Sequence, residues 1–127
     1  MKNEISTRAD VKFIISTFYE KLLKDDEMLP FFIDIVKKGQ LEHHLETITD
    51  FWEDILFQTY NYKNNTMQKH LDFDKKFAFS KRHFYLWLEY FNQTVDEYYI
   101  GKKALDIKTR AQSIATIMQV KMNLYQN

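Results

Sequence analysis

Only Gly39, Gly101 and Pro30 punctuate this chain of 127 residues. So few turn-formers disfavour an architecture built from hairpins and favour long helices. The apolar spacing agrees. A first helix is expected from about Thr7 to Asp25, with Thr7 and Asp10 spaced as a capping box and Val11, Ile14, Ile15, Phe18, Tyr19 and Leu22 forming one stripe. Pro30 opens a short helix to about Lys38, and Gly39 stands where a helix end is suited.

The clearest periodicity follows, over about Leu41 to Tyr60. Leu41, His44, Leu45, Ile48, Phe51, Trp52, Ile55 and Leu56 recur at three and four, which places His43, Thr47, Asp50 and Asp54 on the opposite, solvent side. A polar loop (Asn61 to Asn65), a short segment (Met67 to Leu71) and a charged stretch (Asp72 to Phe79) come next. Ser80 then reads as an N-cap for a helix to Tyr99, whose face is Phe84, Trp87, Leu88, Phe91, Val95 and Tyr98. Beyond Gly101, a last helix from about Lys103 to Tyr125 repeats Ala104, Ile107, Ala111, Ile114, Ala115, Met118 and Met122. No repeat, linker or low-complexity tract divides the chain, so residues 1–127 are expected to form one all-α domain.

Eighteen basic residues balance eighteen acidic ones. No net field is therefore available to hold a phosphate backbone or an anionic membrane, and a nucleic-acid partner is not expected. The absence of cysteine removes disulfides, thiolate metal sites and a cysteine nucleophile. Any metal must be held by His, Asp or Glu, or arrive within a cofactor. Nothing approaches a membrane span or the apolar core of a signal peptide, so a cytoplasmic protein is expected.

Four histidines are the candidates for chemistry. His43 lies on a polar face, and His83 begins a helix beside Lys81 and Arg82; both read as surface groups. His44 interrupts an apolar stripe, where a buried ring without a partner costs about 1–3 kcal/mol. It is either a core histidine bonded to a neighbour or a site residue. His70 lies in a short turn between a loop and a charged connector, an odd place for a residue that serves only packing, though its position alone proves nothing. Tyr19 and Trp87 add buried polar tips on two further helices. A non-haem metal site from His43, His44, Glu42 and Glu46 fails on geometry, because the two histidines diverge around the helix.

Taken in order, several stretches resemble the group III truncated haemoglobins. They are Phe18-Tyr19-Glu20-Lys21, Leu29-Pro30-Phe31-Phe32, His44 with Phe51-Trp52 seven residues on, and Lys69-His70-Leu71. The run from His83 to Phe91 and Arg110-Ala111-Gln112-Ser113-Ile114-Ala115 complete the series. The resemblance covers nearly the whole chain, and the scarcity of glycine suits a group that lacks the glycine motifs of other truncated haemoglobins.

It implies a two-over-two helical sandwich holding haem b, with His70 as the proximal iron ligand and His83 as the rival choice. It further implies Tyr19, His44 and Trp87 on the distal side, and Phe31, Phe32, Ile48, Phe51 and Trp52 against the porphyrin. The expected function is binding of a diatomic gas (O2, NO or CO) at a five-coordinate iron. Nitric oxide or oxygen and peroxide chemistry is expected rather than bulk oxygen transport, with an unidentified reductase as partner; enzymatic turnover stays open. The competing class is a cofactor-free helical interaction module whose aromatic residues only fill a core.

Overall fold

The computed structural model describes residues 2–58 and 80–121. Among them are five helices, α1 (Arg8–Lys24), α2 (Leu29–Lys37), α3 (Leu41–Phe57), α4 (Lys81–Tyr98) and α5 (Lys102–Lys121). Two short strands, β1 (Asn3–Glu4) and β2 (Tyr99–Ile100), complete the order. The expected Asn61–Asn65 loop, the Met67–Leu71 turn with His70, the Asp72–Phe79 stretch, Tyr60, Met122 and Tyr125 lie outside the described residues.

Local chemistry sets the helix ends. Thr7 caps α1: its hydroxyl accepts from the Asp10 amide at 3.3 Å, while the Asp10 carboxylate accepts from the Thr7 and Ser6 amides at 3.0 and 2.8 Å. Pro30 sits in the first turn of α2, where its missing N–H is no loss. That helix closes on Gly39 at φ +69, with the Gly39 amide on the Val36 carbonyl and the Gln40 amide on that of Ile35. This pair of bonds is the Schellman arrangement, which needs a left-handed residue at Gly39.

α1 packs chiefly on α3 and α4 on α5, and the pairs face each other through α1–α4 and α3–α5 contacts. The core lies between the pairs. Val11, Ile14, Ile15, Phe18 and Leu22 of α1 meet Phe84, Phe91 and Val95 of α4 and Ala104, Ile107, Ala111 and Ala115 of α5, all buried. Each large apolar side chain removed from water contributes about 1.5–3 kcal/mol. Small alanines on α5 permit close approach to α4.

Three expectations are corrected. Thr47, placed on the solvent side of α3, is buried with Thr49. Their hydroxyls donate to the carbonyls of His43 (3.0 Å) and Leu45 (2.7 Å), so burial leaves neither unsatisfied, and α3 is covered over more than one stripe. Asp50, from the same side, is drawn to Arg8 of α1 at 2.6 Å. Tyr98, assigned to the buried face of α4, is exposed and meets the edge of Phe13 with centroids 4.8 Å apart. Finally, α4 stops before Tyr99, because Tyr99 and Ile100 pair in parallel with Asn3 and Glu4. No helical periodicity could signal so short a clip.

Candidate functional site

The site grows from the second half of α1. Tyr19 is buried, and its hydroxyl lies 2.7 Å from Nε2 of half-buried His44, across from it on α3. Burial holds the Tyr19 phenol well above its usual range, so it keeps its proton. The edge of Phe32 meets the tyrosine ring at 5.4 Å, and Phe18 contacts it from the preceding position at 5.6 Å. Three aromatic groups thus fix the direction of the hydroxyl, on a wall otherwise built of hydrocarbon.

Beside this pair is a cavity of about 20 Å³, lined by Phe18, Tyr19, Ile48, Phe51, Trp52, Trp87, Ile114 and Met118. A water-sized guest needs roughly 10–15 Å³ on this measure, so the space admits one such molecule. Its lining is apolar apart from the tips of Tyr19 and the two indoles. Trp87, Phe91 and Trp52 form a column: Trp87 lies on Phe91 at 5.7 Å with 12° between planes, and Trp52 on the same ring at 5.2 Å and 29°. Phe18 closes edge-on against Trp87 at 5.7 Å.

Six of the residues expected from sequence therefore converge on one wall: Tyr19, His44, Ile48, Phe51, Trp52 and Trp87. Phe32 supports it by contact with Tyr19. Phe31 is buried but points elsewhere, its ring 4.5 Å from that of His83. His70 lies outside the described residues. His43 is exposed, as expected.

His83 departs from its reading as an exposed group. It is half-buried, and its Nδ1 accepts from the Ser80 amide at 2.9 Å while its own amide reaches the Ser80 hydroxyl at 3.4 Å. It completes the capping box of α4. The usual sequence signature carries Glu or Gln at that position, which is why the imidazole escaped notice. Phe18, Ile114 and Met118 also line the cavity without having been named as site residues; all three lie on apolar stripes, which core residues share, and Phe18 and Ile114 also fall within the resembling stretches.

The carboxylates near His43 are committed elsewhere. Glu42 and Glu46 bind Lys12, and Glu46, Asp50 and Glu53 surround Arg8 at 2.6–2.8 Å. Among the described residues no three His, Cys, Asp or Glu side chains converge as a metal site would. Tyr19, with His44 bonded behind it, supplies polarity at one point of a wall that is otherwise aromatic and aliphatic.

No protein-family model matches the chain. The crystal structure of the group III truncated haemoglobin from Campylobacter jejuni matches with a TM-score of 0.86 at 28% identity, covering 99% of this chain and 97% of that one. The architecture is accordingly that of a truncated globin, all-α and two-over-two. In sequence, the group 3 truncated haemoglobin ctb of Campylobacter jejuni is 29% identical over 121 residues, or 94% of this chain and 93% of that protein. In sequence and in fold alike, the chain is similar to group III truncated haemoglobins.

Proposed function

We propose that this globin binds haem b against the Ile48–Phe51–Trp52 wall, with His70 as the proximal ligand, and holds a diatomic gas on the Tyr19 side. The observation that carries the reading is the Tyr19–His44 bond of 2.7 Å, a polar pair on an apolar wall beside a cavity of one-molecule size. When bound, ferrous haem would supply an iron able to take up a gas and to shift electron density on to it.

The protein's part follows from counting protons. A phenol has one proton and two lone pairs. If Tyr19 donates to Nε2 of His44, nothing is left for the guest; if His44 carries the proton on Nε2 and donates to the Tyr19 oxygen, the hydroxyl is free to donate into the pocket. The second arrangement is the one a partly anionic guest selects. Trp87 offers an indole N–H from α4 as a second donor. Phe18, Ile48 and Trp52 exclude bulk water, which strengthens both bonds.

Two donors on one guest favour slow release. That suits reaction with nitric oxide, or peroxide chemistry supported by a reductase, better than bulk oxygen delivery. A cytoplasmic setting fits such a role, and none of the described helices is long and apolar enough to cross a membrane. The test is the absorption spectrum of the purified chain with and without reductant and carbon monoxide, alongside His70→Ala. A globin-type spectrum whose proximal signature is lost in the variant supports the reading. A chain left colourless after haem reconstitution overturns it in favour of a cofactor-free interaction module, and a His70→Ala spectrum identical to wild type removes His70.

A further inference from the structure

The amino terminus of α4 carries an unusual cap. Ser80 and His83 hold each other reciprocally, and the acceptor in that box is an imidazole nitrogen: the Ser80 amide donates to Nδ1 at 2.9 Å, with the Ser80 hydroxyl also 2.9 Å away. Glu or Gln in this place accepts at any ordinary pH. Histidine accepts only while neutral, since both ring nitrogens of the imidazolium are donors.

Among the described residues, no acidic side chain in the first turn makes up for its loss. Lys81 and Arg82 stand beside His83 at the positive end of the helix dipole. Packing adds a second constraint, because the ring of His83 meets that of Phe31 on α2 at 4.5 Å and 70°. The same corner is tied by Arg82, which grips Glu27 with two bonds of 2.5 and 2.9 Å.

We propose that His83 is an acid-sensitive latch, closing the cap of α4 against α2 as neutral imidazole and releasing it on protonation. Among the described residues, the charged groups that face it are Glu27 and Asp25, from the connection between α1 and α2, and Arg82 on its own helix; Phe31 of α2 adds none. Burial is the largest influence and holds the imidazole below its ordinary value, with Arg82 acting the same way and Glu27 and Asp25 opposing. A lowered value means that the unfolded chain binds the proton first. The latch contributes its full stability above the free imidazole value of about 6.5 and loses it as pH falls through the folded value.

The full chain, the His83→Gln variant and the His83→Ala variant are unfolded in urea at pH about 5 and about 7.5, on either side of that free value. The expected result is a roughly fivefold fall in the wild-type folding constant at the lower pH beyond that of His83→Gln, whose amide keeps the box without titrating. His83→Ala should be weakened at both. In parallel, the Ser80 amide proton of the wild-type chain is followed by NMR and should move with the His83 titration. A pH dependence in His83→Gln equal to that of wild type, or a Ser80 amide indifferent to the imidazole, overturns the latch.

Discussion

Tyr19 has one proton to give, and in the function proposed above His44 and the bound gas compete for it. Removing the hydroxyl in Tyr19→Phe forfeits one buried hydrogen bond, worth about 1.4 kcal/mol at the upper end of the usual range, so the dioxygen off-rate should rise roughly tenfold. Stopped-flow dissociation checks it, and an unchanged rate would remove Tyr19 from the ligand's contacts. At Gly101 the issue is backbone rather than proton. Its φ of +96 suits glycine, and a Cβ there would meet Glu4 Oε1 at 2.5 Å. The Glu4 side chain can swing aside, but the dihedral cannot, so Gly101→Ala should cost about 1–3 kcal/mol in urea unfolding, with or without Glu4→Ala. Tyr19 and His44 were legible in the sequence because a polar group on an apolar stripe demands a partner. His83 was not, because an imidazole in a capping box matches no common pattern, and its burial depends on Phe31, more than fifty residues away.

Among the elements, α1 shows how much of a helix is written locally. Its stripe and its Thr7–Asp10 box were both readable, and both are present. Burial pulls the Asp10 carboxyl upward, but the Ser6 and Thr7 amides and the Tyr99 hydroxyl outweigh it and leave the group below its usual range. The Tyr99 phenol is correspondingly pushed up to about 12, by burial and then by Asp10. A carboxyl so lowered contributes stability above its unfolded value of about 3.9, and that stability disappears as pH falls through the folded value. Asp10→Asn should therefore lose about 1 kcal/mol near neutrality and show a flatter acid limb, measured by thermal unfolding across pH. The end of α4 and the second buried side of α3 were not legible. The first depends on strand pairing with residues 95 positions away or more, and the second on hydroxyls that satisfy themselves on their own helix.

In the whole molecule, the Tyr19–His44 wall depends on α1 and α3 staying paired, and a line of charges runs along their seam. Arg8 binds Glu46, Asp50 and Glu53, and Lys12 binds Glu42 and Glu46. The Arg8 side chain is 36% exposed, so water and salt screen most of this attraction. Arg8→Met should cost only about 1 kcal/mol, and the cost should shrink in high salt, as melting at two ionic strengths would record. The seam thus fixes register more than it adds stability. Sequence reading found the helices and their apolar faces but not this pairing, because a balanced charge count says nothing about which charges meet.

The parallel clip of Asn3–Glu4 with Tyr99–Ile100 stitches residues 3 and 4 into the joint between α4 and α5, the two longest of the described helices. Ile5, buried directly after it, pegs the stitch in the core. A cut made before Ser6 would therefore be felt at the far end of α4, and a tether pulling on residue 3 would load the elbow of the fold rather than a loose thread.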